Sequence, residues 1–336
     1  MTKKIFITGI AGFLGSHLAE RMLNLGYEVV GVDNLEGGTK ENIPEGVEFY
    51  EADCFDLEKM TKYMEGCELV YHAAATAYDG LSVFAPMYVS QNTFQTSVSV
   101  ISAAIQNNVK RFVYCSSMAR YGNLPDYPFR EDMVPLPENP YGIAKLAAEE
   151  VLKGLAKVHG MEYVILVPHN IIGAKQCYED PYRNVAAIMI NRILQGKQPI
   201  IYGDGTQKRC FSFIDDVVHC FEKALLLPEA HGEVINVGPD EEFVTINELS
   251  KIICNLMDVS HESIYVDDRP LEVKYATCSA DKARKLLDYN TKTSLEDGLK
   301  SMIHYIESKG SRPFKYNRPL EIMNDLTPKT WSENLI

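Results

Sequence analysis

The sequence contains no C-x-x-C pair and no cysteine or histidine cluster at a metal-ligand spacing, which excludes a zinc knuckle and a paired disulfide framework. Its eight cysteines, Cys54, Cys67, Cys115, Cys177, Cys210, Cys220, Cys254 and Cys278, stand singly and are expected as free, mostly buried thiols, with no metal. There is no apolar run long enough to span a bilayer and no basic leader with an apolar core, so a soluble, cytoplasmic protein without a membrane partner is expected. Basic residues are in short supply: 33 Lys and Arg face 46 Asp and Glu, and the net charge of −13 excludes nucleic acid as the main partner. An anionic ligand would have to be held against that field by a few local arginines. Glycine and proline are ordinary and no internal repeat is present, which excludes collagen-like and solenoid architectures.

What is present is enough apolar matter, 46% of 336 residues, for a large core in one big domain or two lobes. The first forty residues organise it. Lys4 to Thr8 reads as a buried strand that breaks into Gly9-Ile10-Ala11-Gly12-Phe13-Leu14-Gly15 and then a helical pattern. Such a turn lets backbone N–H groups and the positive end of a helix approach a pyrophosphate, which bulkier residues would block. A second strand, Glu28 to Val32, ends in Asp33 and Asn34, where a carboxylate can accept hydrogen bonds from an adenosine ribose. That carboxylate would repel a 2′-phosphate, so the expected cofactor is NAD rather than NADP.

Strands and helices then alternate. Val47 to Tyr50 leads to Asp53 and Cys54, where Asp53 either meets an adenine edge or belongs to the cap of a helix near residues 57–64. Glu68 to His72 is a buried strand followed by Ala73, Ala74 and Ala75, small residues that leave room for a cofactor; His72 itself reads as a core histidine. A loop with Tyr78 and Asp79 precedes a helix over residues 89–106, in which Asn92 either anchors the sheet edge or caps the helix. Arg111 to Cys115 is the fifth strand and ends in Ser116-Ser117. This alternation calls for a parallel sheet with right-handed crossovers.

After a loop with five prolines between Gly122 and Pro140, a strong helix is expected from Tyr141 to His159. Tyr141 and Lys145 lie one turn apart on one face, so the lysine can lower the tyrosine pKa and reach a cofactor ribose. Ser117, at a strand's carboxyl end, can hold a substrate oxygen whose proton the tyrosinate removes. Thr8-Gly9-x-x-Gly12-x-x-Gly15, Asp33, Ser117 and Tyr141-x-x-x-Lys145 together resemble the extended short-chain dehydrogenase/reductase family, over nearly the whole chain to about residue 310.

The resemblance implies an α/β fold: a Rossmann-type doubly wound parallel sheet in residues 1–167, a smaller mixed lobe mainly in 168–310 that binds a nucleotide-diphosphate sugar, and a packed tail in 311–336. It implies Ser117, Tyr141 and Lys145 as catalytic residues, with Pro168 on the cofactor side. Tyr78, Met118, His169 and Asn170 would line the sugar pocket. Tyr202 would lie against the nucleotide base or in the core; Arg209 and Arg269 would hold the diphosphate or form surface ion pairs, and Glu272 would accept from the nucleotide ribose. A homodimer through the helix before Ser117 and the Tyr141 helix is also implied.

The residues after Ser117 narrow the reaction. Dehydratases and decarboxylases of the family carry an acid there, and C3/C5 reducing epimerases a cysteine, whereas this chain has Met118 and Ala119. By elimination the expectation is a nucleotide-sugar 4-epimerase, with a UDP-hexose or UDP-uronate as substrate. A 4-oxidase that releases the keto sugar, and a non-catalytic NAD-binding regulator, remain as alternatives.

Overall fold

The computed structural model describes residues 3–336. Its first half alternates β1 (Lys4–Thr8), α1 (Phe13–Asn24), β2 (Glu28–Asp33), β3 (Glu48–Glu51), α2 (Leu57–Tyr63), β4 (Leu69–His72), α3 (Pro86–Ser90), a π-helical turn (Gln91–Gln95), α4 (Thr96–Gln106), β5 (Arg111–Cys115), α5 (Pro140–His159) and β6 (Glu162–Pro168). The second half carries β7 (Ile171–Ile172), α6 (Val185–Leu194), β8 (Ile200–Tyr202), β9 (Lys208–Arg209), β10 (Ser212–Phe213), α7 (Ile214–Leu226), β11 (Val234–Val237), β12 (Val244–Thr245), α8 (Ile246–Leu256), β13 (Ile264–Val266), β14 (Tyr275–Ala276), α9 (Asp281–Leu287), α10 (Leu295–Lys309) and α11 (Lys329–Ser332).

Seven strands form one Rossmann-type sheet in the order β11-β6-β5-β4-β1-β2-β3, every pairing parallel. Its central strands are apolar on both faces because helices cover both. Along β1, Ile5 and Ile7 pack with Leu18 and Met22 of α1 and Val217 and Phe221 of α7. Phe6, between them, points the other way and joins the core shared with α4 and α5. β11, α7 and α9 come from beyond residue 167 yet complete the sheet and one of its layers, so the two lobes interleave in sequence.

The long helix α5 is fixed at both ends. Asn139 caps it through the Gly142 N–H at 2.9 Å, Pro140 starts it, and Gly160 leaves it in the left-handed conformation. The helix expected from residue 89 begins at Pro86 and runs on through the π-helical turn into α4. Asn92 therefore sits inside a continuous helical run and caps nothing.

The C-terminal stretch turns back over both halves. Trp331 is 2% exposed between Phe84 and Tyr182, with ring centroids 6.0 and 5.5 Å away. The Glu321 carboxylate accepts from the Met87 and Tyr88 N–H groups, both at 2.8 Å, at the start of α3.

Candidate active site

The glycine turn sits where β1 feeds α1, and each glycine answers a close approach. A Cβ on Gly9, at φ +71°, would lie 3.0 Å from the Ala74 nitrogen, and one on Gly15 would lie 2.2 Å from the Gly9 carbonyl oxygen. Gly12 precedes α1 without a side-chain cap, and the first turn carries no acid, so the positive end of the helix dipole is left for a ligand. The cleft above it is walled by Gly9, Gly12, Phe13, Leu14 and Gly15, by Asp33, Asn34, Asp53 and Cys54, and by Ala73, Ala74, Ala75 and Asn92. Asp33 is fastened at its edge by the Ala11 N–H (3.0 Å) and the Leu35 N–H (2.7 Å). Burial pushes its carboxyl up, and these backbone donors oppose that. Asp53 accepts from the Asn34 amide at 2.7 Å, while the cap of α2 is Asp56. A backbone cradle that side chains would fill, a free helix end and a carboxylate at the second strand fit a dinucleotide.

Three candidate reactive residues meet at the inner end of this cleft. Ser117, half-buried after β5, lies beside the Tyr141 phenol, and its hydroxyl accepts from the Ala119 N–H at 3.2 Å. Burial pushes that phenol above its ordinary pKa, and the serine hydroxyl opposes the shift. Lys145 donates from Nζ to the Cys115 carbonyl at 2.7 Å and lies 5.9 Å from the Tyr141 ring centroid. The Ser117 hydroxyl and the Arg183 charge both ease phenol ionisation in this geometry. Burial lowers the Lys145 pKa, and Cys115 and Glu149 work against it.

Across from Tyr141 lies a positive cluster. Arg209 Nη2 is 2.9 Å from Glu272 Oε1, Arg269 Nε is 2.9 Å from Oε2, and the Arg269 guanidinium covers the Tyr202 ring at 4.6 Å. Burial raises the Glu272 carboxyl, but Arg269 and Arg209 overcome this and hold it below the usual range. The sequence matches the NAD dependent epimerase/dehydratase family over residues 5–238, across the glycine turn, Ser117, Tyr141 and Lys145.

The chain belongs to that family. Among its relatives, UDP-glucose 4-epimerase of Mycolicibacterium smegmatis is 30% identical over 315 residues, 91% of this chain and 99% of the relative. UDP-glucose 4-epimerase of Thermotoga maritima, solved with UDP-glucose, superposes with a TM-score of 0.85 at 33% identity, covering 91% of this chain and 99% of that one. UDP-glucuronic acid 4-epimerase of Bacillus cereus, solved with UDP-glucuronic acid and NAD, gives a TM-score of 0.84 at 29% identity, with the same coverage of 91% and 99%. NAD is the cofactor of the family, and the cleft's donor set agrees with it.

Several individual expectations need correction within this epimerase/dehydratase frame. Tyr78, assigned to the sugar pocket, lines the NAD cleft, and its hydroxyl is engaged by Asp180 at 2.5 Å and Arg318 at 2.9 Å. His169 is 3% exposed, with its ring nitrogens taken by the Pro239 carbonyl (3.1 Å) and the Cys278 sulfur (3.1 Å), so it belongs to the core. Pro168 pairs with Val237 at the end of β6, one strand further out than Cys115. Glu272 bridges the two arginines with both oxygens. Met118 is 9% exposed in the turn after Ser117, and Asn170, exposed, donates to the Cys210 carbonyl at 2.9 Å. Tyr202 donates to or accepts from Thr330 Oγ1 at 2.5 Å. Sequence reading missed Arg183 and Arg318, two cations at the cleft supplied by irregular segments. It also missed Cys115, whose place at the end of β5 beside Ser117 was a usable signal.

Proposed function

We propose that this protein is an NAD-dependent UDP-sugar 4-epimerase. The observation that carries the reading is the placement of Ser117 beside the Tyr141 phenol, with Lys145 one helical turn on and an uncharged Met118 and Ala119 after the serine. Ser117 holds the sugar O4, and Tyr141, as phenolate, takes its proton and later returns it. Lys145 orients the nicotinamide ribose and keeps its charge beneath the tyrosine. Bound NAD supplies the acceptor for the C4 hydride and gives it back. Arg209 and Arg269 grip the diphosphate at the far end and let the ring turn about that anchor between the two half-reactions. Because no further acid is required, the ring's C5 and C6 are left unchanged.

The UDP preference follows the relatives, which are named for UDP-sugars. The cytoplasm, which supplies NAD and nucleotide sugars, is the proposed compartment; no helix among the described residues is long and apolar enough to cross a membrane. A homodimer through α4 and α5 is part of the reading, in keeping with Ile143 of α5 at 51% exposure. Light scattering that finds only monomer would remove that part alone.

The test is incubation of the purified protein with UDP-, GDP- and CDP-sugars, with NMR of the products and absorbance in the NADH band. A C4 epimer without lasting NADH is expected. Stoichiometric NADH with a 4-keto product, or no reaction on any UDP-sugar, would contradict the proposal.

A further inference from the structure

We propose that the C-terminal stretch is a strap over the NAD cleft, and that Arg318 within it holds the pyrophosphate of bound NAD and keeps the cofactor in place between the two half-reactions. The strap itself rests on the family's cofactor, and its link to the half-reactions rests on the reading above. The stretch is first fastened to the second lobe. There the Arg312 N–H donates to Asn191 Oδ1 at 3.0 Å, and the Lys315 N–H donates to the Glu179 carbonyl at 2.9 Å. It then crosses to the sheet. Arg318 donates from Nη2 to the Glu36 carbonyl, in the loop after β2, and from Nε to the Tyr78 hydroxyl at 2.9 Å, in the loop after β4. Glu321, three residues on, receives the Met87 and Tyr88 N–H groups at the start of α3. Residues 315–321 therefore join the second lobe to the sheet, and Arg318 between these anchors forms part of the cleft wall.

The charges in that wall say what Arg318 is for. Three acids, Asp33, Glu36 and Asp53, line the cleft, and the cations among the described lining residues are Arg183 and Arg318. Against the two negative charges of a pyrophosphate, the free end of α1 supplies roughly half a positive one. Arg183 already has a carboxylate, Asp180, at 3.4 Å. Arg318 is bonded to neutral oxygens, the Glu36 carbonyl and the Tyr78 hydroxyl. The acids around it are turned elsewhere: the Glu36 carboxylate accepts from the Tyr88 hydroxyl at 2.8 Å, and Asp180 accepts from the Tyr78 hydroxyl at 2.5 Å. A half-buried guanidinium held by neutral groups keeps its charge for an anion, and its planar fork suits phosphate oxygens. Binding of this kind is reciprocal: whatever docking of the strap adds to NAD affinity, NAD adds to docking of the strap.

The experiment measures NAD release from the full-length protein. Loaded protein is passed into NAD-free buffer, and the NAD still bound is assayed over time after acid precipitation. Arg318→Met, which keeps the packing of the stem, should release NAD about tenfold faster or more, and Arg318→Lys, which keeps the charge without the fork, should fall between it and the parent. In the parent, NAD should slow tryptic cleavage of the Lys315–Tyr316 bond by about tenfold, a readout that needs no variant to fold. Release from Arg318→Met at the parental rate, release from Arg318→Lys as fast as from Arg318→Met, or cleavage at Lys315 indifferent to NAD would each overturn the inference. None of these outcomes depends on which sugar is turned over, so the product assay tests the 4-epimerase reading separately.

Discussion

Arg120 and Glu149 form an ion pair, Nη2 to Oε2 at 3.0 Å, with both side chains withdrawn from solvent. The other oxygen of Glu149 accepts from the Ser116 hydroxyl. Glu149 lies one helical turn beyond Lys145, so this pair fastens the turn that carries Ser117 to the helix that carries Tyr141 and Lys145. Burial pushes the Glu149 carboxyl up, and Arg120 and Ser116 counter it.

Glu149→Leu leaves the Arg120 charge buried without a partner and should cost about 3–5 kcal/mol. The cost is read as a lower urea midpoint at an unchanged slope. The double variant Arg120→Met/Glu149→Leu should recover most of it. Because the serine is then held less firmly against the tyrosine, kcat should fall more than KM rises in the single variant. A single variant as stable as the parent would show that the pair does not fasten the two elements.

Tyr141 must lose its proton to act, and its buried phenol sits above the ordinary value with the Ser117 hydroxyl pulling the other way. Turnover should therefore rise with pH along an acid limb. Ser117→Ala removes the opposing hydroxyl, so the limb should move to higher pH. Tyr141→Phe should lower kcat by about 10²–10⁴-fold. An acid limb that stays in place, or moves down, in Ser117→Ala would show that the serine does not act on the phenol.

His72 and His169 are held neutral. Burial, aided by the charge of Lys145, lowers His72 to about 3, and burial lowers His169 to about 4. His72 is bonded at both nitrogens, to Thr8 Oγ1 at 2.7 Å and Ser97 Oγ at 3.0 Å. Both pKa values lie below those of the unfolded chain, so the unfolded state binds more protons as pH falls. The stabilising contribution is complete above about pH 6.5 and is lost on acidification, by up to about 2.7 kcal/mol per pH unit for the two groups together. His72→Gln should roughly halve that slope between about pH 6.5 and pH 5. Equal slopes for the variant and the parent in urea titrations would contradict the neutral assignment.

Trp331 joins the C-terminal stretch to the rest of the site, with the Tyr202 ring 6.4 Å away and Thr330 on the Tyr202 hydroxyl. Trp331→Ala should cost about 3–5 kcal/mol and weaken UDP-sugar binding as Tyr202 loses its support. A variant that unfolds at the same urea concentration and binds UDP-glucose with the same affinity would show that this segment contributes to neither.

The features legible in the sequence were those in which neighbours in the chain are neighbours in space. The glycine turn is contiguous, Asp33 closes the next strand, and Tyr141 and Lys145 share one face of one helix. The seventh strand, β11, escaped because four residues carry too little pattern, and α6 because it starts after Asn184 without a side-chain cap to mark it. His169 and Tyr78 went astray for a different reason. The groups that engage them, Cys278 with Pro239 and Asp180 with Arg318, are brought in from distant segments, and spacing holds no information about them. The same holds for Glu149, whose burial between Arg120 and Ser116 depends on how the turn after β5 packs on α5.

The most direct measurement is proton NMR of the product formed from UDP-glucose in D2O. Oxidation and re-reduction at C4, with the hydride held on the cofactor between the two steps, predicts the C4 epimer with protium at C4, no deuterium anywhere in the hexose, and no NADH left at the end. Deuterium at C4 would reveal exchange with solvent in place of hydride return, and an accumulated 4-keto sugar would show that the intermediate leaves instead of turning.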